Sequence, residues 1–306
     1  MVKTKIIFLI LPDVYLLDLA GPEQVFLEAI ELGAALEIEY CSAAGPVASA
    51  ASISLAGLKK FSSITISKGD YVFIPGARVS SILSSSSSQV KEIAAWLQRG
   101  YEAGAYICSV CTGAFFLART GLLNGKKCTT HWKRTEELKQ RYPLAQVTDN
   151  ILFTEDQRVF TSAGVTAGID LALHIISRIK GESFSFKVAR ELVVYVRRQG
   201  QEAQQSIFIN YRNHMNAGIH AVQDYVQENI DKKISISQLA GVACTSSRNL
   251  TRLFKKETGI TVNGFITLVR KELLGKLAAE QDFSRRQMAA LCGLKSERQV
   301  IRLLKN

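Results

Sequence analysis

The 306 residues predict an α/β doubly wound domain over 1–200, a polar linker over 201–216, and an all-α domain with two helix-turn-helix units over 217–306. Three observations carry this. Short apolar runs alternate with amphipathic segments through the first part, as expected of parallel strands joined by helices. The last part repeats a two-helix pattern. The charge is uneven: of a net +11, the last 91 residues contribute 15 Lys and Arg against 8 Asp and Glu. A basic excess concentrated at one end points that end toward a polyanion. With 47% hydrophobic residues, the chain can build two proper cores.

Ile6 to Leu11 is the first buried strand. Lys3 and Lys5 ahead of it resemble the start of a secretion signal, but the apolar run stops at Pro12-Asp13, too short for a signal core or a membrane span. Six cysteines without framework spacing fit a reducing compartment, and a cytoplasmic protein is expected. Pro22 to Leu32 is an amphipathic helix with proline in its first turn. Leu36 to Cys41 is a strand, and Ser42 to Thr65 is hairpin or irregular edge structure. Tyr71 to Ile74 is a strand ending at Pro75-Gly76. The serines of 84–88 form a surface loop before a helix over Gln89 to Arg99.

Ala105 to Val110 is a buried strand that breaks at Cys111-Thr112-Gly113 into an apolar helix, Ala114 to Leu123. A sharp strand-to-helix turn lifts its corner residue above the sheet edge, where the helix dipole lowers a thiol pKa and favours anions. Cys111 stands at that corner, either as a nucleophile or as a small apolar residue filling it. Asp18, after the first strand, and His131, after a strand near Lys127 to Thr130, complete a candidate site beyond the carboxyl ends of the strands. Cys108 and Cys111 also form a CxxC. Cys108 lies inside the strand, so the two side chains are expected to diverge, against a redox pair; four dispersed histidines do not make a zinc site. A helix Lys133 to Arg141, short strands near Gln146, Leu152 and Val159, and helices over Ala167 to Ile179 and Phe184 to Arg198 follow.

In the second part, Ser237 to Lys256 and Gln287 to Lys305 each read as two short helices around a turn. Leu250, Leu253 and Phe254 share one face at helical spacing, with Arg248, Thr251, Arg252 and Lys255 opposite, and Thr245 or Ser246 capping the start. In the second copy Val300, Leu303 and Leu304 form the buried stripe, with Arg298, Ile301 and Arg302 outside it. A basic helix after a short turn suits the major groove, where arginine grips guanine with two hydrogen bonds. A merely solvated basic face is the alternative; duplication of the pattern favours the first reading.

Two resemblances rest on these stretches. SVCTGAF, the turn at Gly121-Leu122-Leu123, TTHW, and the run Thr161 to His174 resemble the sensor domain of GlxA-type transcriptional regulators, which is similar to the PfpI-type, glutamine-amidotransferase-like fold. LTRLFKKETGITVNGFI, LVRKELLGKLA and MAALCGLKS resemble the paired helix-turn-helix of the AraC/XylS family. The first resemblance implies an effector pocket at Asp18, Cys111, Thr112 and His131, with Asp18 where the PfpI-type fold usually has Glu, which counts against hydrolysis; Asp170 caps or pairs rather than catalyses. The second implies base reading by Arg248, Thr251 and Arg252, with Lys255 beside them and Arg298 and Arg302 as counterparts. Two departures are Cys244 where that family usually has Gly, and an end at Asn306 ahead of the Gly-Ser-Pro turn and closing helix usual there. Together the resemblances imply a non-enzymatic transcriptional regulator, an activator without a cofactor. Its implied partners are promoter DNA, RNA polymerase, a small effector such as an amino acid or quaternary amine, and a second copy in a homodimer. A cysteine-dependent hydrolase or glyoxalase-like enzyme carrying a DNA-binding domain is the alternative.

Overall fold

The computed structural model describes residues 3–194, 198–202, 204, 207–280 and 282–305. The chain divides into two compact units, Met1–Gln204 and Gln205–Asn306.

The first unit is built on a seven-stranded sheet. Its order is Phe153–Asp156, Val159–Ser162, Tyr106–Val110, Tyr71–Ile74, Thr4–Leu9, Leu36–Ser42 and Lys59–Lys60. Every neighbouring pair is parallel except the first, which is an antiparallel hairpin. Both faces are buried. Ile7, Leu9, Val72, Ile74 and Ile107 face one core with the helices Ser87–Ala103 and Gly113–Arg119. Ile6, Phe8, Phe73, Cys108 and Val110 face the other, with Leu16–Glu31 and Thr166–Lys180. This is why the strands read as continuous apolar runs rather than alternating ones. From the strand Thr4–Leu9 the chain goes first to one side and then to the other, so the strand order reverses between the parallel neighbours Thr4–Leu9 and Tyr71–Ile74. Ligand sites of such sheets lie at that reversal, beyond the strands' carboxyl ends.

Several sequence-based boundaries move. The first helix begins at Leu16, not Pro22, and Pro22 lies inside it. Proline there forgoes only the bond to the Asp18 carbonyl, and the gain is that Asp18 enters the helix's first turn. The helix after Cys111 ends at Arg119, because Gly121 takes a left-handed φ of 84°. The helix expected over 184–198 spans Glu182–Glu191; residues 195–197 of that expectation lie outside the described residues. No described helix is long and apolar enough to cross a membrane.

The second unit comprises the helices Ile207–Tyr211, Ala217–Glu228, Ile236–Val242, Ser247–Thr258, Val262–Glu280, Arg285–Leu291 and Glu297–Lys305. It has two cores that share one long helix. Phe265 and Val269 of Val262–Glu280 join Ile219, Val222, Leu239, Leu250 and Phe254 in the first. Leu274 and Leu277 of the same helix join Met288, Cys292 and Val300 in the second. Within the stretch expected as a linker, Ile207 and Tyr211 pack against the first core, so part of that polar run is tertiary structure. Ala203, Gln205 and Ser206 of the expected linker lie outside the described residues. Leu304, expected in the buried stripe, is 44% exposed, while Val300 is fully buried and Leu303 packs partly against the second core.

Candidate functional site

Cys111 ends the strand Tyr106–Val110 with a φ of 56°. A left-handed conformation at a residue other than glycine costs on the order of 1–2 kcal/mol and persists only where surroundings enforce it. Here they do. The Cys111 amide donates to the Ser162 carbonyl at 2.9 Å, and its carbonyl accepts from Thr130 Oγ1 at 2.8 Å. Two glycines make the room. A Cβ at Gly164 would lie 2.1 Å from Cys111 Cβ, and one at Gly76 would lie 2.9 Å from it and 2.3 Å from Asp18 Oδ2. Gly113 has the same need, its missing Cβ falling 2.2 Å from the Ile74 carbonyl oxygen. Strand ends from three parts of the chain therefore close on one point.

Asp18 is buried there. Its Oδ1 accepts from the Val165 amide at 2.7 Å, and Cys111 hydrogen-bonds its carboxyl group. Val165 has a φ of 53°, unusual for a β-branched residue, and precedes the helix Thr166–Lys180. Burial, resisted by the Val165 amide and the Cys111 thiol, raises the Asp18 pKa. Burial, reinforced by Asp18, drives the Cys111 thiol far above its ordinary value. That reverses the expected effect of the helix dipole. The helix after Cys111 spans only Gly113–Arg119, and desolvation next to a carboxyl group outweighs its field.

The other two expected members are placed differently. Thr112 is buried with its hydroxyl committed, donating to the Ala77 carbonyl at 2.6 Å and accepting the Ala77 amide at 3.0 Å. It clamps the corner and presents no free polar atom. His131 is half-buried, its Nδ1 accepts the Lys133 amide at 3.3 Å, and its ring lies against Trp132. Burial, then the charges of Lys133 and Arg134, lower its pKa. Among the described residues no hydrogen bond joins His131 to Cys111; the connection runs through Thr130. The structure thus brings Asp18 and Cys111 together and leaves His131 one residue removed. Cys108 and Cys111 both belong to the core that includes Leu16–Glu31 and Thr166–Lys180. Both are free thiols, raised by burial. Asp170 pairs with Arg198 at 2.5 Å.

The resemblance over Thr161 to His174 implies that its glycines, Gly164 among them, allow a close turn near the pocket, whereas Gly76, Val165 and Thr130 carry no site signal in the sequence. Pro75-Gly76 and Ser162-Ala163-Gly164 were visible as strand ends, but their convergence depends on strand order.

In the second unit the basic residues sit where the duplication implied. Arg248, Thr251, Arg252 and Lys255 are all exposed on Ser247–Thr258, with Leu250 and Phe254 buried behind them. Arg298 and Arg302 are exposed on Glu297–Lys305, opposite Val300. Ser246 caps the first of these helices through the Asn249 amide, and Thr245 holds the Asn249 side chain. Asn249 Oδ1 accepts from Arg252 at 3.0 Å, which orders that guanidinium. The helices Ile236–Val242 and Arg285–Leu291 each start with a capping box, Ser235 with Gln238 and Ser284 with Gln287. The repeated S-x-x-Q is a signal in the sequence that locates both starts.

Residues 4–178 match the model of the DJ-1/PfpI family, and residues 226–267 match that of the bacterial regulatory helix-turn-helix proteins of the AraC family. The chain is 28% identical over 210 residues to the HTH-type transcriptional regulator GbdR of Pseudomonas aeruginosa, a match covering 68% of this chain and 57% of that protein. It is 31% identical over 175 residues to an isonitrile hydratase of Pseudomonas putida, covering 57% of this chain and 71% of the enzyme. Among solved structures, a ThiJ/PfpI family protein from Pseudomonas syringae superposes with a TM-score of 0.55 at 23% identity, covering 68% of this chain and 81% of that one. That likeness speaks to fold alone. The match thus spans little more than half the length of GbdR.

Proposed function

This chain belongs to the DJ-1/PfpI family and carries an AraC-type helix-turn-helix segment, and on that premise we propose that it is a sequence-specific DNA-binding regulator of transcription. The observation that carries this reading is the duplicated capped helix pair, each followed by a helix with a buried apolar stripe and an exposed arginine face. Arg248, Thr251 and Arg252 read base edges from the first helix, with Lys255 on the phosphates. Arg298 and Arg302 are their counterparts on the second helix, where they mainly add sequence-independent affinity. The concentration of positive charge in this part supplies the salt-dependent attraction that any DNA binder needs. The regulator acts as an activator through RNA polymerase, as a homodimer.

The first unit holds a small effector, an amino acid or quaternary amine, at the corner formed by Asp18, Cys111 and His131. A buried carboxyl group suits a cationic ligand, which offsets its desolvation. The similarity to an isonitrile hydratase favours a second reading, a cysteine-dependent enzyme joined to a DNA-binding unit. Two features weigh against it: burial and the neighbouring Asp18 carboxyl raise the thiol pKa, and among the described residues His131 makes no hydrogen bond to Cys111, its Nδ1 accepting the Lys133 amide, so no imidazole is in place to take the thiol proton.

Selection of bound duplexes from a random pool by the full chain tests the proposal, with a thermal-shift screen of free amino acids and betaines. A recovered consensus and a ligand that raises the melting temperature by mass action support it. Recovery of random sequence rejects the DNA reading.

A further inference from the structure

Gln204 is the last residue of the first unit, and its side-chain amide grips both flanks of His131. Oε1 accepts the Trp132 amide at 2.8 Å. Nε2 donates to the Thr130 carbonyl at 2.9 Å and, more weakly, to Thr129 Oγ1 at 3.4 Å. Thr130 in turn donates its hydroxyl to the Cys111 carbonyl at 2.8 Å. A chain of polar contacts therefore runs from the strained corner to the last residue of the first unit.

The segment leading to Gln204 is itself tied down. The Gly200 carbonyl accepts the amides of Leu152 at 2.9 Å and Phe153 at 3.1 Å, and the Glu202 carbonyl accepts the Leu152 amide at 3.0 Å. Gly200 packs so closely that a Cβ would lie 2.8 Å from the Phe153 carbonyl oxygen. Arg198 pairs with the buried Asp170 carboxyl. A polar run that reads as a free connector is thus pinned to the sheet edge and to the loop carrying His131.

We propose that Gln204 is a positioning residue that couples the Asp18–Cys111–His131 corner to the segment entering the second unit. A ligand that moves the 129–132 loop must break or remake the Gln204 contacts, so the change reaches the end of the first unit. Its regulatory meaning rests on the function proposed above. The coupling itself is a property of the unliganded chain and is tested there, so failure to find a ligand leaves the test intact.

The experiment is hydrogen–deuterium exchange on the unliganded full chain. Gln204→Ala speeds exchange at the Trp132 amide and also at Cys111 and Ala114, two steps away, by about two- to tenfold, the range one net hydrogen bond gives. Because coupling is reciprocal, Thr130→Val, which removes only the hydroxyl bond to Cys111, speeds Leu152 and Phe153 on the far side. Gln204→Glu keeps an acceptor for Trp132 and loses the donor to Thr130, so Trp132 stays protected while Cys111 does not. Faster exchange confined to Trp132 in Gln204→Ala, with Leu152 and Phe153 unchanged in Thr130→Val, overturns the proposal. So does uniformly faster exchange that includes Leu173 in the buried helix in both Gln204 variants.

Discussion

The turns of the two helix-turn-helix units contain a matched pair of positions whose substitutions should have opposite effects. Cys244 and Gly293 each lie nine residues after a capping serine, Ser235 or Ser284, with left-handed φ values of 48° and 59°. Cys244 is exposed, so Cys244→Gly loses little packing. It relieves a left-handed cost of about 1–2 kcal/mol and gives back about 0.4–1 kcal/mol through the freer unfolded chain. The net expectation is stabilisation by about 0.5–1 kcal/mol. Gly293→Ala meets the same backbone cost without room to accommodate it. The new Cβ would lie 2.5 Å from the Ile230 carbonyl oxygen, and 2.9 Å from both Arg270 Nη2 and the Asp231 carbonyl carbon. Overpacking adds about 1–3 kcal/mol and the stiffer unfolded chain returns about 0.4–1 kcal/mol, so destabilisation by about 1–4 kcal/mol is expected. Urea unfolding of the full chain separates the units. Trp96 and Trp132, the chain's two tryptophans, belong to the first unit, so far-ultraviolet dichroism not followed by fluorescence reports the second. A fall of more than about 1 kcal/mol in Cys244→Gly, or no loss in Gly293→Ala, refutes the shared turn geometry; thermal shifts of roughly 4–8 °C per kcal/mol make either outcome visible.

Three further outcomes follow from the corner at Cys111. Cys111→Ala leaves the affinity for selected DNA unchanged and abolishes no turnover in peptidase, esterase and glyoxalase assays; a robust wild-type rate lost in the variant would establish the enzyme reading. Asp18 has a raised pKa, so the folded chain holds its proton more tightly than the unfolded chain, and stability falls as pH rises through the folded value. Asp18→Asn retains an acceptor for the Val165 amide and carries no charge, so its advantage over wild type is largest at neutral pH and shrinks toward about pH 4, followed by tryptophan fluorescence; an advantage that grows on acidification contradicts the assigned shift. Gly164→Ala combines a φ of 87° with a Cβ 2.1 Å from Cys111 Cβ and should lower the melting temperature of the first unit sharply. A near-wild-type melting curve would mean the two strand ends do not close on each other.

What could be read from the sequence were the features with local causes. Buried parallel strands announce themselves as apolar runs, and the recognition helices show their stripe because helical period and exposure coincide at Leu250, Phe254 and Val300. What could not be read were features that depend on strand order. Gly76 is an ordinary turn glycine until the sheet places it, with Gly164, against Cys111. Local sequence gives the wrong sign for the thiol shift because it suggests an exposed helix N-terminus, whereas Asp18 enters the first turn of its helix and buries beside the sulfur. Pro22 marked a helix start by local preference, and tertiary packing of Leu19, Val25 and Phe26 extends the helix past it. Gln204 carried no local signal at all, since a glutamine in a polar run has no partner until the fold supplies Thr130 and Trp132.

The central claim is that the exposed arginines of the two capped helix pairs bind DNA and that those of the first read its sequence. Titration of the full chain against a selected duplex and its shuffled counterpart, at several salt concentrations, tests it most directly. Wild type should prefer the selected duplex at every salt concentration. Arg252→Ala, whose guanidinium is held by Asn249, should lose about 1–3 kcal/mol on that duplex and relax its preference at one position, while Arg302→Ala should weaken both duplexes by a similar factor and flatten the salt dependence. Equal wild-type affinity for both duplexes across the whole salt range would contradict the account.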